Sequence, residues 1–119
     1  MTTSVDSPSG LSDAQYDAAI QAVLARIEAK VDGWLEDDVV DIDTARSGSM
    51  MTLSLPNRSQ LIVNAQPPLQ ELWLAARRGG FHFKYDLATG QWLDTRSGAE
   101  FFALLSSCAS EQSRPGLVF

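Results

Sequence analysis

The chain has 119 residues, of which 45% are hydrophobic and 20% charged, with a formal net charge of -6 and a single cysteine. That composition describes one ordinary globular domain and leaves no material for a second. It excludes an internal disulfide and a self-sufficient iron-sulfur or zinc-thiolate centre. No apolar run is long enough to cross a bilayer, and the absence of a leader pattern points to a cytoplasmic protein.

Residues 1–11, rich in Ser, Thr, Pro and Gly, are expected to form a disordered extension, with one domain over residues 12–119. Ser12 followed by Gln15 forms a capping-box signature at the start of a helix. Tyr16, Ile20, Val23, Leu24, Ile27, Val31 and Trp34 then recur at spacings of three and four, an apolar stripe that faces a core. Asp17, Gln21, Glu28 and Asp32 form the solvated face, and Gly33 is the expected stop, which would leave Glu36 to Asp38 on a loop.

From Val40 onward the period falls from 3.6 to 2. Short alternating runs around Val40–Thr44, Met51–Leu55, Gln60–Asn64, Leu69–Arg77, Phe81–Tyr85 and Gln91–Asp94 are divided by Gly, Pro, Asn and Ser, as hairpin-linked strands are. Ser97 with Glu100 reads as a second capping box, opening a closing helix whose apolar side is Phe101, Phe102, Leu104, Leu105 and Cys108. The expected architecture is a two-layer α+β sandwich, with two terminal helices on one face of a five- to six-stranded antiparallel sheet. Its other face is left to solvent or a partner.

Charge is unevenly distributed: residues 1–43 carry ten acids and two bases, residues 44–119 five acids and seven bases. Nucleic acid is excluded as a partner, because the longest basic run is Arg77-Arg78. Seven acids, Glu28, Asp32, Glu36, Asp37, Asp38, Asp41 and Asp43, fall between a helix C-terminus and a first strand. A helix C-terminus is already partially negative, so acids there cost about 0.3 to 1 kcal/mol each when exposed. The stretch is either a cation- or basic-partner-binding surface or a solvated face that maintains solubility. Carboxylates suit hard cations, and the spacing is not that of an EF-hand. Asp41 and Asp43 also suit an edge strand, where charge opposes edge-to-edge association.

Trp73 alternates with Leu72 and Leu74 and therefore belongs on the face away from the helices, either as an interface contact or as a cover for its neighbours. Asn64 and Gln66 lead into the same region. His82 has no nucleophile partner in sequence and reads as a surface or packing residue, and Cys108 as a buried, inert thiol.

The stretch VNAQPPLQELWLAARRGGFHF, Val63 to Phe83, resembles the central signature of the frataxin family, bacterial CyaY type. The Asn64-x-Gln66-x-Pro68 element, Trp73-Leu74-Ala75, Asp41-Ile42-Asp43, Trp92 and Asp94-x-Arg96-Ser97-Gly98 carry the likeness, which extends from about Asp13 to the C-terminus. The resemblance implies an iron-binding accessory protein of iron-sulfur cluster assembly that docks on the cysteine desulfurase and scaffold complex and modulates cluster formation. It implies weak binding of ferrous and ferric iron, with no bound cluster, at Glu28, Asp32, Glu36, Asp37, Asp38, Asp41 and Asp43, and partner contact at Asn64, Gln66 and Trp73. Monomer or iron-dependent oligomer are the states it allows, without catalysis or membrane. A pure adaptor and a ferroxidase or iron-storage protein are the alternatives. Ala29, Gly33 and Leu35 stand where such proteins often carry acids.

Overall fold

The computed structural model describes residues 10–119; residues 1–9 of the segment expected to be disordered lie outside them, but at its end Leu11 is buried in the core and its carbonyl accepts from the Gln70 side chain at 2.9 Å, so the ordered chain begins before Ser12. Ser12 caps helix α1 (Asp13–Glu36), its hydroxyl accepting from the Gln15 N–H while the Gln15 side chain accepts from the Ser12 N–H. The buried residues of α1 are the seven of the apolar stripe. Burying each such side chain is worth about 1.5–3 kcal/mol before conformational entropy is subtracted.

Gly33 does not end the helix. A glycine inside a helix costs about 1 kcal/mol relative to alanine. Here Trp34, one residue on, is buried with its ring 4.8 Å from that of Phe119, edge to face, and that packing carries the helix one turn further. Termination occurs at Asp37 and Asp38, with the Val39 N–H donating to the Trp34 carbonyl (2.8 Å) and the Asp38 N–H to the Leu35 carbonyl (3.2 Å). This is the six-to-one, five-to-two pattern of a Schellman end, whose left-handed residue is normally glycine. Here it is Asp38, at φ 59°.

Six strands follow: β1 (Asp43–Ser47), β2 (Met50–Ser54), β3 (Gln60–Gln66), β4 (Glu71–Ala76), β5 (Gly79–Asp86) and β6 (Gln91–Asp94). They form one antiparallel sheet in sequence order, each paired with the next. β1 begins later than the alternation suggests, so Val40 and Asp41 lie before the strand, although Ile42 is buried as expected. Pro67-Pro68, which supplies no amide hydrogens, shapes a 3-10 turn, Pro67–Leu69, between β3 and β4.

Helix α2 (Phe101–Gln112) starts four residues later than its expected cap. Ser97 is recruited by the buried Asp94, whose Oδ2 accepts from both the Ser97 hydroxyl (2.6 Å) and its N–H (3.1 Å). The cap is instead Glu100, whose carboxylate accepts from the N–H groups of Phe102 and Ala103. Both helices cover the same face: Leu53, Leu61, Val63, Leu72, Leu74 and Phe83 alternate inward, and Phe101 meets Phe83 edge to face at 5.1 Å. Cys108 is fully buried in this layer, and burial pushes its thiol up, away from thiolate chemistry.

Buried Gln112 closes the far end of α2. Its amide oxygen accepts from the Arg77 N–H (2.7 Å), and its Nε2 donates to Ser59 Oγ and the Gln60 carbonyl, both at 3.2 Å. The tail folds back, with Leu117 and Phe119 buried against the helices. Asp38→Gly, which removes the cost of a left-handed L-residue, is expected to raise stability by about 0.5–1 kcal/mol in denaturant unfolding. An unchanged midpoint would contradict the reading of the helix end.

Candidate functional site

The acids form a ridge along the last turns of α1 and into the edge strand. Asp32, Glu36, Asp37, Asp38, Asp41 and Asp43 are exposed, and no basic residue occupies the last turn of α1. Two arginines reach in from elsewhere. Arg114 Nη1 donates to the Val39 carbonyl (2.6 Å) just past the helix end. Arg46, on β1, places Nη1 2.8 Å from Glu28 Oε1 and also holds the Gln21 side chain.

Glu28 is therefore half-buried and paired, where the amphipathic pattern had placed it in open solvent with Gln21. The six other acids have no such neutralising partner on α1. Asp41 and Asp43 border an open depression that is also lined by Ser54, Arg58 and Gln60. Among the described residues, no three His, Cys, Asp or Glu side chains converge closely enough to form a metal-binding cage. The ridge offers hard oxygen donors to a cation, each free to keep its water, which is a chemistry of weak and exchangeable binding.

The second group lies on the uncovered face of the sheet. Register aligns Met50, Asn64, Trp73 and His82 across four strands, and beside them Gln66, Glu71 and Lys84 across three. Asn64 and Trp73 are direct neighbours, and Gln66 is two pairs along on the same face, so the strand pairing brings the three together. Trp73 is half-buried. Its ring is stacked on that of His82, with centroids 4.1 Å apart and planes 7° from parallel. Its Nε1–H donates to Glu71 Oε1 at 2.8 Å.

Glu71 was not singled out by the sequence, because acidic residues on an open face carry no signal of their own. It is only 8% exposed. Oε2 lies 3.4 Å from Lys84 Nζ, and Oε1 lies 3.8 Å from His82 Nδ1.

Helix α1 holds the loop leading into this face. The Tyr16 hydroxyl donates to the Glu71 carbonyl (2.6 Å) and accepts from the Gln66 N–H (3.0 Å), clasping both ends of the Pro67–Leu69 turn. Burial, above all, raises the Tyr16 pKa above its ordinary value of 10.0, and Glu71 adds to this, while the hydrogen bond from Gln66 opposes it. At the other end of the sheet, burial disfavours the Asp94 carboxylate. The hydrogen bonds from Ser97, the Arg96 N–H and the Arg96 charge outweigh it and hold the Asp94 pKa below the ordinary value.

The neutral phenol is the form the fold prefers, so its contribution is complete below about pH 10 and is lost as pH rises through the raised folded value. Tyr16→Phe is expected to cost about 1–2 kcal/mol at neutral pH, by stranding the Gln66 N–H and a carbonyl. It should also remove part of the wild-type loss of stability above pH 10. Parallel unfolding curves for the two proteins across that range would contradict the assignment.

A family model described as "Frataxin-like domain" matches residues 9–114. The iron-sulfur cluster assembly protein CyaY of Paraburkholderia xenovorans is 48% identical over 103 residues, covering 87% of this chain and 92% of its own. The protein of the same name from Polaromonas sp. is 46% identical over 109 residues, covering 92% of each. Among solved structures, a frataxin from Psychromonas ingrahamii superposes with a TM-score of 0.78 at 33% identity, covering 91% of this chain and 97% of that one. A trimeric frataxin from the yeast Saccharomyces cerevisiae, complexed with ferrous iron, superposes at 0.64 with 26% identity, covering 78% and 83%.

Proposed function

The chain belongs to the frataxin-like family, and from that premise we propose that it is an iron-binding accessory protein of iron-sulfur cluster assembly. It docks on the cysteine desulfurase and scaffold complex through its acidic ridge and open sheet face, and modulates the rate of cluster formation. The observation that carries this reading is the ridge itself. Six exposed acids crowd a helix C-terminus and edge strand, one of them in a left-handed position. Their cost to the fold is unopposed by any base in the last turn of α1.

Ferrous or ferric iron is cargo here, held by Asp32, Glu36, Asp37, Asp38, Asp41 and Asp43 in changing subsets, with Glu28 drawn toward Arg46 instead. The same charge steers a basic protein surface toward the ridge, a long-range attraction that falls with salt. Asn64, Gln66 and Trp73 then supply short-range contact, polar at the first two and broad and apolar at the indole. Opposed roles for the two surfaces follow: the ridge sets the encounter rate and its salt dependence, the sheet the lifetime of the complex.

A second reading is favoured by the absence, among the described residues, of any converging metal cage. In that reading the protein is an adaptor whose iron binding is incidental to its charge, and regulation of the desulfurase persists when iron is removed.

Charge reversal of Asp41 and Asp43 to Lys is expected to weaken association with the desulfurase–scaffold complex about tenfold at low salt. The difference should shrink as the screening length falls from about 10 Å at 0.1 M toward 3 Å at 1 M. Trp73→Ala is expected to weaken association to a similar degree with its salt dependence unchanged. Wild-type binding by the charge-reversed protein would remove the steering role, and wild-type binding by a folded Trp73→Ala protein the contact role.

A further inference from the structure

A buried carboxylate on the solvent side of a sheet requires a reason. Glu71 points away from both helices and contributes nothing to the core, since its strand neighbours Leu72 and Leu74 carry that burial. Stranding a charge at 8% exposure is unfavourable unless every oxygen is used. Both are: Oε1 accepts from the Trp73 indole N–H and faces His82, and Oε2 faces Lys84. Lys84 Nζ in turn donates to the Leu69 carbonyl at 3.0 Å, in the turn between β3 and β4. Every side-chain contact of this carboxylate thus ends on the open face or on its adjoining loop.

We propose that Glu71 is the positioning residue of the open face. It holds Trp73 and His82 as one rigid aromatic platform, so that a partner meets an indole already fixed in its bound orientation. The proposal rests on the reading of Trp73 as a partner contact and adds to it the group that sets the ring. A half-buried tryptophan on a strand has two torsions free to turn. The hydrogen bond at 2.8 Å fixes one edge of the ring, and the parallel His82 ring at 4.1 Å fixes its face. Ordering of interface side chains is part of the cost of association, and a ring ordered in advance reduces it. The carboxylate also balances Lys84, so the platform presents an aromatic surface without a net charge beside it.

The test compares Glu71→Leu, which removes both acceptors, with Glu71→Gln, which keeps an oxygen in place of Oε1. In the free protein, Glu71→Leu is expected to speed hydrogen exchange at the Trp73 indole N–H tenfold or more and to abolish the ring-to-ring nuclear Overhauser effects with His82. Glu71→Gln should retain both. If Glu71→Leu does not fold, Glu71→Val, a strand-favouring residue of smaller volume with no acceptor, serves in its place. Unchanged indole exchange and intact ring contacts in the acceptor-free variant would overturn the proposal.

Association with the desulfurase–scaffold complex supplies the second readout. Glu71→Leu is expected to weaken it about tenfold in the wild-type background and to add nothing in a Trp73→Ala background. Equal weakening in both backgrounds would make Glu71 a direct contact and overturn the positioning role. Should Trp73→Ala itself leave association unchanged, the docking reading of that residue falls, while the exchange measurement in the free protein still decides whether Glu71 sets the ring.

Discussion

Leu53, Leu61, Leu72, Leu74 and Phe83 are driven beneath two helices on one face of the sheet, and strand alternation then gives their neighbours no choice of side. Thr52, Asn64, Gln66, Glu71, Trp73 and His82 occupy the other face because the residues between them are buried. A one-residue slip in any pairing would exchange core and surface, so the hydrophobic layer that stabilises the molecule also holds the register of the face that it leaves bare. The fold and the candidate docking surface are consequences of one pattern.

The ridge depends on the same layer less directly. Trp34 and Phe119 hold the last turn of α1 against the core despite Gly33, and that turn carries Glu36 and leads into Asp37 and Asp38 at the end of the helix. Local electrostatics oppose this arrangement and tertiary packing maintains it. Arg46 and Arg114 relieve the strain at two points, Glu28 and the Val39 carbonyl, and leave the outer acids uncompensated. A stable core thus supports an acidic helix end that would be poorly stable on its own.

Much of this was legible in the sequence because it rests on periodicity. The seven buried positions of α1, the order of helix, strands and helix, and the placement of Trp73 opposite the core all follow from spacings of 3.6 and 2. Local signals failed where a tertiary contact outweighed them. Gly33 was overridden by the burial of Trp34, and Ser97, a good cap in isolation, was taken by the buried Asp94 while Glu100 assumed its place. Glu28 and Arg46 are eighteen residues apart, and His82 and Lys84 reach Trp73 and Glu71 only through strand register. No one-dimensional pattern records such pairs, and the Glu71 network was therefore visible only in three dimensions.

The proposed division of labour sets a metal-attracting ridge apart from a partner-binding sheet, and an anaerobic titration of the isotope-labelled protein with ferrous iron at physiological salt tests that separation most directly. Backbone amides from Asp32 to Asp43 are predicted to broaden and to saturate at low stoichiometry, while those of Asn64, Gln66 and Trp73 on the open face stay sharp. Diffuse broadening, or broadening centred on the sheet, would contradict the division of labour between the two surfaces.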